Sequence, residues 1–220
     1  MIVIIGDLIN SRKLKNRLSA QERLKDSLSE VNKKYSDEIG SKFMITLGDE
    51  FQGLLLTGCN CLRILDEISF RMSPIEIRFG LGVGELNTVL NKELCTGMDG
   101  PVFWKAREAI QVIHKKNDYG RTNVHLCSQK NDFSVVLIND ILKLTALQMS
   151  GWRDTQKEIY RLVLEDGIIL PDKINHQRMS SRLGILNSSL SRRFESSGIK
   201  RYMTARLNAE TAIEILNKSL

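Results

Sequence analysis

The chain has 220 residues, 42% of them hydrophobic and only 6% aromatic, and a net charge of +6. That length allows one large domain and a small one around mostly aliphatic cores, and three prolines without a low-complexity tract exclude a disordered chain. The longest apolar runs, such as Val135-Val136-Leu137-Ile138, fall short of the roughly 20 residues that a membrane span requires. Met1-Ile2-Val3-Ile4-Ile5-Gly6-Asp7 lacks a basic leader and a small-residue cleavage site, so it reads as a buried strand and the protein is expected to be cytoplasmic. Cys59, Cys61, Cys95 and Cys127 do not complete a zinc set and read as reduced structural thiols. His114, His125 and His176 are scattered.

In chain order, a strand over residues 1–6 precedes a helix. Ser19 and Glu22 have capping-box spacing, and Leu24, Leu28, Val31 and Tyr35 recur at helical intervals. Phe43–Leu47 and Phe51–Leu56 form a hairpin around Gly48-Asp49-Glu50. Cys61–Met72 reads as a helix with Leu62, Leu65, Ile68 and Phe70 inward. Ile75–Glu85 is a strand whose glycines, Gly80, Gly82 and Gly84, share one face and admit a close neighbour. A helix follows from Pro101 to Lys116. Asn123–Cys127 and Phe133–Ile138 read as two further strands, and Asn139–Ser150 as a helix. This order predicts an α/β domain of the ferredoxin-like kind over residues 1–149.

From residue 150 to 220 the pattern is helical and forms a second domain. Helices are expected at Asp154–Leu164, Asn175–Leu183 and Asn187–Ser196, the last two ended by Gly184 and Gly198. Ile199–Arg206 reads as irregular, and Ala209–Leu216 as the closing helix. Charge is concentrated here. Residues 175–206 carry seven basic side chains (Arg178, Arg182, Arg192, Arg193, Lys200, Arg201 and Arg206) against one acid, Glu195. A concentrated positive stretch on a small domain suits a phosphate-backbone partner.

Two acids stand out by position: Asp7 ends the first strand and Asp49 tips the hairpin, with Glu50 beside it. Side-by-side strands would bring Asp7 and Asp49 together as hard oxygen ligands for Mg²⁺ or Mn²⁺. Ordinary turn chemistry accounts for the same residues, since Asp and Gly are frequent in hairpins.

The front half also resembles the class III nucleotide cyclases. The resemblance rests on Gly6-Asp7-Leu8-Ile9-Asn10-Ser11, Ile45-Thr46-Leu47-Gly48-Asp49-Glu50-Phe51, Arg78-Phe79-Gly80-Leu81-Gly82-Val83-Gly84-Glu85 and Gly100-Pro101-Val102-Phe103-Trp104-Lys105-Ala106-Arg107. Gly48-Asp49-Glu50-Phe51 is also similar to the end of the GGDEF signature. The resemblance implies a cyclase-type palm. Asp7 and Asp49, with Glu50, would hold metal; Gly48, Lys105 and Arg107 would contact nucleotide; and Arg107 would be catalytic if the site is active. It also implies a homodimer. Phe103 stands where the family has an asparagine donor, and Ile45 where an adenine-selecting lysine would lie. A missing transition-state donor costs about 10²–10³ in rate, so binding can outlive cyclisation.

Residues 175–196 resemble the helix-turn-helix of bacterial transcription regulators. Met179, Leu183, Ile185 and Leu190 would pack the two helices. Asn187, Ser188, Ser189, Ser191, Arg192 and Arg193 would face DNA, with Arg178 beside them and Lys200, Arg201 and Tyr202 as a wing or clamp. Taken whole, the chain is similar to the bacterial SatD family along its full length. The reading is a DNA-binding transcriptional regulator whose palm binds a nucleotide or metal-nucleotide and dimerises. The alternatives are a divergent nucleotidyl cyclase or nucleotidyltransferase, and a module for an acidic protein partner.

Overall fold

The computed structural model describes residues 1–115 and 122–220. Five strands form one mixed sheet in the order β2-β3-β1-β4-β5: β1 Ile2–Leu8, β2 Ile39–Leu47, β3 Glu50–Leu55, β4 Ile77–Val83 and β5 Val124–Ser128. Each neighbouring pair among the first four is antiparallel, with α1 (Arg17–Lys34) between β1 and β2 and α2 (Cys61–Met72) between β3 and β4 in the chain. After β4, α3 (Pro101–His114) crosses to β5, which pairs parallel with β4. Lys116, the expected end of that helix, lies outside the described residues.

The period of two divides the sheet residues between its faces. Ile2, Ile4 and Leu8 of β1 and Phe79, Leu81 and Val83 of β4 pack with α1 and α2 in the larger core. Val3 and Ile5 point the other way, towards Val102, Phe103 and Ala106 of α3. The glycine stripe explains how α3 lies so close. A Cβ on Gly82 would fall 2.1 Å from the Val102 carbonyl oxygen, and one on Gly80 would fall 2.4 Å from that of Ala106. A backbone neighbour cannot yield as a flexible side chain can, so any larger residue here would displace the helix.

Three expectations are corrected. The apolar run at Phe133 is not a strand: α4 is one continuous helix, Phe133–Ser150, capped by Asp132. Its Ile138 and Leu142 are buried while Phe133, Val136 and Leu137 stay exposed, so the run serves two faces of a helix. The first helix is capped by Asn16, whose side chain accepts from the Ser19 amide, and Ser19 lies inside the first turn. Residues 199–206 are not irregular. They open α8, Ile199–Lys218, which is unbroken to the end of the Ala209–Leu216 segment.

Helices α5 (Asp154–Glu165), α6 (His176–Leu183) and α7 (Asn187–Ser197) gather with the first half of α8 around a second core of Trp152, Tyr160, Val163, Leu190 and Tyr202. Helix α8 belongs to both regions. Its Ala209, Ile213 and Leu216 return to the larger core beside α4.

Candidate functional site

The strand register brings Asp7 opposite Glu50 on one side and Arg78 on the other. Arg78 donates to Asp7 Oδ2 at 3.0 Å, and the His114 imidazole of α3 lies 3.9 Å from the same oxygen. The other oxygen, Oδ1, is buried and has no hydrogen-bond partner among the described residues. Asp49 forms the two-residue turn with Gly48, and Glu50 lies beside Thr46. The three acids do not gather into a ligand set: among the described residues no group of three or more His, Cys, Asp or Glu side chains could hold an ion. As arranged, they do not fit a divalent cation, because the charge of Asp7 is already met by Arg78.

Helix α3 separates the cyclase-like positions. Phe103 is 1% exposed and packs with Val3, Ile5 and Leu54, so it is part of the core. Arg107, one turn on, is exposed and makes no ion pair among the described residues. Helical spacing places Phe103, Arg107 and His114 along one edge of α3, and that edge leads to Asp7. Lys105 lies on another side of the helix and pairs with Glu108 at 2.7 Å. The edge thus joins Arg107 to the Asp7 end of the sheet, while Lys105 turns away from it.

Helices α6 and α7 are joined by Gly184, whose φ of 62° is in the left-handed region that glycine tolerates. The turn is held from within. The Ser180 hydroxyl donates to Asn187 Oδ1 at 2.6 Å, and His176 stacks on Phe194 with ring centroids 4.9 Å apart. Leu190, Phe194 and Ser197 form the inward stripe of α7, leaving Ser188, Ser191 and Arg192 exposed. Ser189 and Arg193 are half-buried at its flanks. The C-terminal end of α7 is fixed by side chains: Trp152 Nε1 donates to the Ser197 carbonyl at 2.8 Å, and Gln148 of α4 to the Ser197 and Gly198 carbonyls.

The basic set is smaller than the residue count. Arg182 is paired with Asp166 at 2.5 Å and Glu165 at 3.3 Å, and Arg178 lies 3.9 Å from Asp166. Arg206 is buried. Arg192, Arg193 and Arg201 make no ion pair among the described residues, and Lys200 lies over the Phe194 ring. Lys200 and Arg201 stand in the first turn of α8, so they form no wing. Tyr202 points inward and is 1% exposed.

A buried polar cluster escaped the periodicity argument. Asp66 of α2 accepts from Tyr160 at 2.8 Å, Tyr202 at 3.0 Å and Arg206 at 2.6 Å. Burial beside this carboxylate pushes both tyrosine pKa values well up, so both stay donors. Next to it Glu67 accepts from Tyr35 and Lys34, and Arg63 donates to the carbonyls of Val163, Leu164 and Ile168 at the end of α5. Glu210 of α8 accepts from the Leu62 and Arg63 amides and so caps α2. The available signal was two adjacent acids inside an apolar helix, with Tyr202 and Arg206 spaced four apart elsewhere.

Burial raises the Glu210 carboxyl to about 7, despite its two amide donors and the charge of Arg206. A carboxyl raised on folding contributes stability below its unfolded pKa, and that contribution is lost as pH climbs through the folded value. Chemical denaturation from pH 4.5 to 8 should therefore show the native protein losing roughly 3 kcal/mol relative to Glu210→Gln. Parallel curves would show that Glu210 does not take up the proton.

No curated protein sequence matches the chain. A sequence model of the SatD family matches residues 1–213, and the chain belongs to that family.

Proposed function

We propose that the protein is a DNA-binding transcriptional regulator. The carrying observation is α7: a short helix with an exposed serine-rich start, Arg192 and Arg193 without an ion pair among the described residues, and both ends fastened to the rest of the fold. Helices α6 and α7 act as a helix-turn-helix, with α7 as the reading helix. Ser188, Ser189 and Ser191 suit phosphates and base edges, and arginine suits guanine. Lys200 and Arg201 extend the basic surface onto α8 as phosphate contacts. Arg178 and Asn187 contribute less, since Asp166 and Ser180 already engage them.

In fluorescence anisotropy with duplex DNA, Arg192→Ala plus Arg193→Ala should weaken binding about tenfold or more. It should also flatten the dependence of log affinity on log salt by about two. Unchanged affinity and slope would remove the proposal. Strong binding to an acidic protein with none to DNA would favour the rival partner.

A second reading has its own support: the α/β domain binds a nucleotide beside Asp7. The buried Asp7 Oδ1, without a partner among the described residues, is an acceptor suited to a hydroxyl or amino donor, and the exposed Arg107 lies on the adjoining edge of α3. Arg107 and Arg78 would meet phosphate charge without a cation. Equilibrium dialysis with each nucleoside triphosphate, in EDTA and in Mg²⁺, tests this. Binding should persist in EDTA and weaken about tenfold in Arg107→Ala, on the scale of one charged hydrogen bond. A cyclic or linked nucleotide product that vanishes in Asp49→Asn would instead make the protein a cyclase or transferase. No binding would leave the domain as a scaffold.

A further inference from the structure

Helix α4 carries an apolar stripe that stays exposed among the described residues. Its 18 residues span about 27 Å. Ile138, Leu142 and Thr145 are buried on its inner side, against the sheet core and α8. On the outer side Phe133 is 71% exposed, Leu137 50%, Leu144 66% and Leu147 55%. These positions alternate in steps of four and three with Asp140 between them, which is the seam spacing of paired helices. A run of such residues on one side of a helix is more than the scattered apolar exposure normal for a soluble surface.

We propose that this stripe pairs with the same stripe of a second copy, the two α4 helices running antiparallel about a two-fold axis. Charge placement selects this occupant. Asp140 and Lys143 sit at the middle of the stripe, 3.2 Å apart within one chain. With Leu137 facing the second copy's Leu147, Asp140 comes beside the second copy's Leu144 and Lys143. Each copy's Asp140 then lies within reach of the other's Lys143, and the pair repeats across the axis. Phe133 falls over the second copy's Gly151, which is exposed and adds no side-chain bulk. The contact is isologous and closes on itself, as a two-fold contact must. By length and mean hydropathy α4 also passes as a membrane span, with 22% of it buried. Two charges at the centre of the exposed stripe would be costly in hydrocarbon and are matched in the paired arrangement.

The pairing is independent of the DNA reading and has its own test: sedimentation velocity of the full chain at tens of micromolar. The native protein should be a dimer. Leu144→Glu, at an exposed position, should be monomeric with an unchanged circular dichroism spectrum. Asp140→Lys and Lys143→Asp should each raise the dimer Kd about tenfold. Mixing those two variants should restore the dimer, because both cross-pairs are then complementary. The mixing arm stands even if Leu144→Glu fails to fold. A monomeric native protein, a dimer that survives Leu144→Glu, or no recovery on mixing would overturn the pairing. Flotation of a monomeric native protein with phosphatidylcholine–phosphatidylglycerol vesicles would assign the stripe to a lipid surface.

Discussion

The buried carboxylate of Asp66 is the interaction on which the arrangement of the molecule depends. It sits in α2, a helix of the sheet layer, yet all three of its side-chain donors come from the C-terminal helices. A carboxylate removed from water is tolerated only when paired and fully hydrogen-bonded. Tyr160, Tyr202 and Arg206 meet that demand together, and their rings pack edge-on with Trp152 at 5.0–5.5 Å. Arg63 and Glu210 strengthen the same junction from both sides, one satisfying the end of α5 and the other the start of α2. Directional bonds of this kind set one docking geometry, where an apolar contact alone would allow sliding.

This junction bears on the proposed function. Helix α7 is short and gains its rigidity from what holds it. One end is tied through Ser180 and Asn187, the other through Trp152 and Gln148. Gln148 belongs to α4, the helix whose outer stripe is proposed to pair two copies. A two-fold axis through α4 would thus fix the separation of two α7 helices, the quantity that sets half-site spacing on DNA. A nucleotide at Asp7 would act near the end of α3, and the packed sheet and α2 lie between that point and the Asp66 junction. The proposal of regulation needs a two-state element along this route.

Much of the fold was legible where one physical signal dominated. Alternation marked β4, the Gly48 turn marked the β2–β3 hairpin, and the glycine face marked where a close neighbour sits, which the structure shows to be α3. The signal failed where a segment serves two masters. Phe133–Ile138 resembles a strand because both its buried and exposed sides are apolar. Ile199–Arg206 resembles a basic loop because Tyr202 and Arg206 are polar, although the fold buries both. Charge counting overstated the basic surface for the same reason, since Arg182 and Arg206 are spent on acids distant in sequence. The motif reading put Asp7 near the end of the first strand and Arg107 on a helix, and the structure has Asp7 near the end of the central strand β1 and Arg107 in α3. It could not show that Arg78 would take the place beside Asp7 that a cation needs, because that pairing follows from strand register.

The central claim is that Asp66 makes the sheet layer and the C-terminal helices one cooperative unit. The most direct measurement is thermal and urea unfolding of Asp66→Ala followed with native-state hydrogen exchange. The account predicts a loss of about 3–5 kcal/mol, as for removal of one partner from a buried ion pair. Protection should fall first in α5, α7 and the start of α8, with β1 and β4 still protected. An unchanged midpoint, or equal loss of protection in the sheet and the C-terminal helices, would contradict it.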